Sequence, residues 1–250
     1  MATEIEHGHS PLEQFKIDRI IPIKMGDFDL SLTNSALWML VAVALATVFI
    51  TVGASRKSLI PSRWQAFVEM AYEFIANLLR DNVGKQGLNF FPLVFSLFFF
   101  ILFCNLTGML PFSFTPTSHI IVTFSLAFAI FLMVTIVGFI RHGFHFLSLF
   151  VPQGMPAWLL PLIIPIEILS YFTRPISLSL RLFVNMMAGH TMLKVIAGFV
   201  ISLGIVGGWA PLLFLTALTG LELLIAFLQA YVFTVLTCIY LNDAINLHHE

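Results

Sequence analysis

Residues 158–203, "WLLPLIIPIEILSYFTRPISLSLRLFVNMMAGHTMLKVIAGFVISL", contain no polar loop, yet they carry Glu167, Arg174, Arg181, His190 and Lys194. A continuous helix of that length would extend about 69 Å at 1.5 Å per residue, more than twice the ~30 Å hydrocarbon core of a bilayer. Two upright spans would need a polar turn in the middle, where the sequence has only Thr173-Arg174-Pro175. The stretch therefore predicts one long helix, steeply tilted in the membrane. It should kink near Pro175, which has no N–H to bond to Tyr171. Within it Arg181 is set among Leu178, Leu180, Leu182 and Phe183, with no acidic residue within two turns.

The rest of the chain agrees with a membrane protein. Of its 250 residues 59% are hydrophobic and 10% charged, against about 25% charged in a soluble domain. The formal net charge of -1, the lack of a basic run and the lack of a Gly-rich phosphate loop argue against nucleic acid or directly bound nucleotide as partners. Cys104 and Cys238 lie singly in apolar runs and read as small core hydrophobes rather than as a disulfide or metal pair. The opening has no basic segment followed by a short apolar one and a small-residue cleavage site, so it does not read as a secretory signal.

Working outward, residues 36–53, 91–111 and 119–140 are apolar runs of spanning length. Residues 62–82, "SRWQAFVEMAYEFIANLLRDN", mix Glu69, Glu73, Arg80 and Asp81 with apolar residues at helical spacing. They predict an amphipathic helix on a membrane face. The apolar run 211–246 is again long, and "SLGIVGGWAP" between it and 158–203 predicts a helical hairpin. The expected fold is all-α: a single membrane domain with an external tail over 1–35, five membrane helices and one surface helix. Arg56, Lys57, Arg63, Arg80, Lys85 and Arg141 flank the amphipathic segment or follow the 119–140 span, whereas 112–118 and 204–210 hold no Lys or Arg. The positive-inside rule then predicts the N-terminus outside and the C-terminus in the cytoplasm.

A charged side chain at mid-helix costs about 2.5 to 3.5 kcal/mol on insertion scales, so the ionisable residues of the long segments are candidate functional groups. At roughly 100° per residue, Glu167, Ser170, Arg174, Ser177 and Asn185 lie within about 40° of Arg181, forming one polar stripe. His190 falls about 180° away, on another wall. On the last helix Glu222, Gln229 and Tyr240 share a face, with Glu222 toward the outer side at a depth His190 could share. Plainer readings stand beside these. Arg174 either snorkels, satisfies carbonyls freed at Pro175, or joins the functional stripe; Lys194 reads as a snorkelling anchor; Arg181 has a buried ion pair with Glu222 as its structural alternative. The HxxH of His142 and His145 and the tail residues His7, His9, His248 and His249 lack the partners a metal site needs. No cofactor or metal is expected.

"RPISLSLRLFVNMMAGH" (174–190) and "ELLIAFLQAYVFTVLTCIYL" (222–241), with the opening "HSPLEQFKI" (9–17), resemble the corresponding segments of the subunits a of F-type ATP synthases, and the tail is similar to alphaproteobacterial members. The resemblance covers essentially the whole chain. It implies a non-catalytic stator subunit of the inner membrane. Its partners would be the ring of subunit c, a peripheral stalk of subunit b or b/b′, the remainder of the F1Fo complex, and lipid. It further implies that Arg181 faces the carboxylate of each subunit c, and that Ser177, Asn185 and Gln229 have polar roles. Glu167 would lie near a cytoplasmic half-channel, and His190 with Glu222 in an outer one. Many bacterial relatives have an acid where this chain has His190 and a histidine where it has Glu222, which suggests that the two sit together. Arg174 and Tyr240 are further candidates without an assigned role. A stand-alone transporter would usually show internal repeats, for which there is no convincing trace, and an intramembrane metalloenzyme is disfavoured by the sparse histidines.

Overall fold

The computed structural model describes residues 19–21, 24–25, 28–29, 31–55, 62–110, 113–151 and 159–246. The stretch 9–17, the basic pair Arg56 and Lys57, and the tail histidines His7, His9, His248 and His249 lie outside the described residues. The chain is an all-α membrane protein. Its helices are α1 (Asn34–Ala54), α2 (Arg63–Val83), α3 (Phe91–Gly108), α4 (Ile120–His142), α5 (Leu160–Ser202), the single turn α6 (Gly204–Gly207) and α7 (Trp209–Ile245). All but α2 and α6 are long and apolar enough to cross a membrane. Before α1 the chain forms two short antiparallel pairs, Arg19–Ile21 with Leu32–Thr33 and Lys24–Met25 with Phe28–Asp29, which hydropathy alone did not indicate.

Helix ends follow local chemistry. The Thr33 and Ser62 side chains accept from the N–H of Ala36 and Gln65, each at 3.3 Å, capping α1 and α2. Gly84 ends α2 at φ 81° and Gly143 ends α4 at φ 56°, conformations that L side chains rarely adopt. The 91–111 run stops as a helix at Gly108, where the Ser113 and Thr115 hydroxyls donate to the Gly108 carbonyl at 3.1 and 3.2 Å. Those bonds turn the chain back toward the bundle.

The amphipathic pattern of α2 sorts its side chains. Val68, Ile75, Leu78, Leu79 and Val83 are buried, facing α1, α3 and α7, while Glu69, Glu73, Arg80 and Asp81 remain exposed. Phe49 on α1 packs its ring 4.9 Å from Trp64, tying the start of α2 to the first span. The core continues through Val94, Phe98 and Ile101 on α3, Ala127, Ile130 and Val134 on α4, and Ala226, Ala230 and Phe233 on α7. Ala226 and Ala230 bring no bulk, so helix backbones can approach closely there, as small residues permit in membrane bundles.

Helix α5 runs unbroken for 43 residues, with Pro165 and Pro175 inside it, and α7 for 37. Neither can stand upright within a core of about 30 Å at 1.5 Å per residue. α5 packs on α4 and α7, and α7 is backed by α2, α3 and α4. Leu178, Leu182 and Met186 face inward, while Phe172, Ile176, Leu180 and Val184 are exposed. This 3.6-residue alternation gives α5 one wall against the protein and one that the rest of the chain leaves open.

Candidate functional site

The open wall of α5 carries Arg181. It stands midway along the helix, exposed, and makes no hydrogen bond or ion pair among the described residues. The buried pair with Glu222 considered from sequence is absent, because Glu222 is engaged elsewhere. Ser177 is exposed one turn away and Glu167 half-buried toward the start of α5; neither makes a side-chain hydrogen bond or ion pair among the described residues.

On the opposite wall His190 and Glu222 meet. His190 Nδ1 lies 3.3 Å from Glu222 Oε1, and both side chains are buried. Two small features make this contact possible. Gly189 gives the acid its space, since a Cβ there would come within 2.8 Å of Glu222 Oε1. Thr115, from the return after α3, places its hydroxyl 3.1 Å from His190 Nε2, so both ring nitrogens have a partner. A hydrogen bond at one nitrogen selects the tautomer presented at the other. Beside this pair, a cleft of about 210 Å³ between α5 and α7 is lined by Asn185, Gly189, Leu218 and Glu222. It has room for several waters at about 30 Å³ each, and it joins the buried carboxylate to Asn185 on the stripe of Arg181.

Asn185 Nδ2 donates to Gln229 Oε1 at 2.8 Å, linking the middles of α5 and α7. Behind Gln229, the fully buried Asn105 of α3 donates to the Ala226 carbonyl at 3.2 Å and accepts from the Thr117 hydroxyl at 2.9 Å. Buried amides need such partners, because an unsatisfied one costs about 1–3 kcal/mol. These bonds tie α3 and the return after it to α7, and α7 to α5.

Arg174, whose role sequence left open, is an ion-pair partner. Its Nη1 donates to Asp243 Oδ2 at 2.8 Å, and its guanidinium stands 5.4 Å from the Tyr171 ring centroid and 5.2 Å from that of Tyr240. Tyr240 is therefore brought to Arg174. Lys194 is exposed near the end of α5, compatible with an interfacial anchor. His142 Nε2 lies 3.0 Å from the Ile245 carbonyl, at the end of α7.

Sequence reasoning assigned no role to Thr115, Thr117, Asn105, Gly189 or Asp243. The first two sit in "FTPTS", a composition that reads as a connection. A signal was available in Asn105, an amide alone in the apolar run "FFFILFCNLTGML", where burial demands a partner.

The sequence pattern of the family described as ATP synthase A chain matches residues 36–242. The chain belongs to that family. It is 57% identical over 241 residues to the ATP synthase subunit a of Pelagibacter ubique, covering 96% of this chain and 99% of the relative. It is also 57% identical over 240 residues to that of Rhodospirillum rubrum, covering 96% and 100%. As a member of the ATP synthase A chain family it is a non-catalytic subunit of the Fo sector, the part that translocates protons, and five apolar helices among the described residues make it multi-pass.

Proposed function

We propose that the chain is the stator face against which a ring of subunit c turns, with two offset half-channels that lead protons to and from the ring's carboxylates. The observation that carries this is Arg181: exposed, unpaired among the described residues and midway along a membrane helix. A fixed charge at membrane depth, costing about 2.5 to 3.5 kcal/mol alone, implies a counter-charge from outside the chain. Carboxylates arriving in turn on a neighbouring ring would supply it.

The residues then act as follows. His190 and Glu222 receive protons from the outer side, since an imidazole and a carboxylate in contact can pass a proton between them. Waters in the cleft beside Asn185 carry it to the ring. The protonated acid travels round the ring through lipid and reaches Arg181 from the far side. There the guanidinium favours the ionised form, and the proton leaves by a cytoplasmic path near Glu167 and Ser177. Arginine does not deprotonate in proteins, so Arg181 passes no proton and blocks a direct leak between the two paths. Each elementary charge moving through 100 mV releases about 2.3 kcal/mol, which drives rotation. Asn185 and Gln229 hold α5 and α7 in register beside the ring.

The charge distribution supports an inner-membrane setting with the N-terminus periplasmic and the C-terminus cytoplasmic. A peripheral stalk of subunit b or b/b′ would hold the subunit against rotation. The test is Arg181→Ala in inverted membrane vesicles containing the assembled complex. ATP-driven proton pumping should disappear while the subunit remains assembled; pumping at the wild-type rate would overturn the reading.

A further inference from the structure

Arg174 and Arg181 lie on one stripe of α5, seven residues and so about 10.5 Å apart along the axis. A carboxylate moving across this wall could meet two cations. Only one is available. Arg174 is held by Asp243 from α7 at 2.8 Å, with both side chains largely covered. It is also boxed in by the rings of Tyr171 and Tyr240. Tyr171 is in turn fixed to α4, its hydroxyl 2.8 Å from that of Thr135, and its ring packs 4.9 Å from Phe131. Five residues from α4, α5 and α7 thus immobilise and neutralise one arginine, while its neighbour on the stripe has no hydrogen-bond or ion-pair partner among the described residues.

We propose that Asp243 is an internal counter-ion that removes Arg174 from the competition for the ring's carboxylates, leaving Arg181 as the sole uncompensated cation on this wall. The inference rests on the stator reading of Arg181. A planar guanidinium pairs readily with any carboxylate it can reach. Freed of Asp243, Arg174 would present a second resting place on the cytoplasmic side of Arg181, and a ring carboxylate held there would be slow to move on. Asp243 is therefore a positioning residue: it touches no proton in transit and acts by occupying Arg174. The tyrosines restrict the guanidinium to the geometry in which Asp243 satisfies it.

This predicts an asymmetry that a simple clamp between α5 and α7 would not produce. A clamp is lost equally by removing either partner or both. A counter-ion is needed only while Arg174 is charged. The experiment is ATP-driven proton pumping in vesicles by Asp243→Asn, Arg174→Gln and the double variant in the complete complex, with rates normalised to assembled subunit. Asp243→Asn should lower the rate by about fivefold or more, while Arg174→Gln and the double variant should stay within about twofold of each other and well above the single Asn variant. Asp243→Glu, which keeps the charge, should pump nearly as wild type.

Equal losses in all three variants, or a double variant slower than both singles, would overturn the proposal. If Asp243→Asn does not assemble, the comparison of Arg174→Gln with the double variant still decides: equal rates support the counter-ion role, and a further loss in the double overturns it. Arg181→Ala in the same vesicles separates the two readings. Its pumping at wild-type rate defeats the stator reading itself, whereas its inactivity with the wrong pattern at 174 and 243 defeats only the counter-ion.

Discussion

His190 Nδ1 on α5 and Glu222 Oε1 on α7 lie 3.3 Å apart in a buried contact, on the wall of α5 opposite to that of Arg181. The chain thus separates its two kinds of ionisable group: a histidine–carboxylate pair inside, and a permanent cation on the open face.

Because the pair needs one imidazole and one carboxylate in contact, either order should serve. His190→Glu and Glu222→His singly should each lower ATP-driven proton pumping by about tenfold or more, equivalent to about 1.4 kcal/mol. The double exchange should recover a substantial part of that loss. Equal defects in all three variants would show that the two residues do not act together.

Gly189 should tolerate no side chain without cost to function. A Cβ at this position would lie 2.8 Å from Glu222 Oε1, closer than such atoms approach, and 3.2 Å from its Cδ, so the acid must shift from its place against His190. Gly189→Ala should reduce proton pumping severalfold and Gly189→Val should abolish it, with the subunit still found in the purified complex. Wild-type pumping by the Val variant would mean that the acid does not rest against Gly189 during turnover.

The Thr115 hydroxyl holds His190 Nε2 at 3.1 Å, and removing it frees the imidazole to rotate. Thr115→Val preserves shape but loses the hydrogen bond and should slow pumping; Thr115→Ser keeps the hydroxyl and should restore most of the rate. The two variants compared in the same vesicles give the answer, and equal rates would leave the hydroxyl without a role in orienting the histidine.

Asn185 and Gln229 share a 2.8 Å hydrogen bond between the two long helices. Asn185→Leu leaves the Gln229 amide oxygen without this partner and should destabilise the α5–α7 packing by about 1–3 kcal/mol. Replacing both by Leu removes the unpaired group and should regain stability while leaving pumping impaired. The midpoint of heat-induced release of the subunit from the detergent-purified complex measures the first effect, and vesicle pumping the second.

Much of this architecture was legible in advance. The apolar run from 158 to 203 is too long for one upright span and lacks the polar turn that two would need, and α5 is one helix, Leu160–Ser202. Helical phase separated Arg181 from His190 because both lie on the same helix, where about 100° per residue fixes relative direction. Phase could not say what either residue faced. Arg174 shows the limit: its position on the stripe was readable, but its partner Asp243 comes from another helix, and its two ring neighbours from two helices. Thr115 was hidden for a related reason, as a hydroxyl in a connection becomes a histidine's partner only when the chain folds back beneath it.

Spanning helices, their order, the amphipathic exception and the presence of costly charges all follow from local composition, because transfer from water to hydrocarbon is close to a sum over residues. Pairing is not such a sum. Whether a buried charge is neutralised depends on the rotation and depth of a neighbouring helix, to within the few tenths of an ångström that separate a hydrogen bond from a void. Packing therefore decided that Arg174 is occupied by Asp243, that Glu222 meets His190, and that Arg181 stays exposed without a hydrogen bond or ion pair among the described residues.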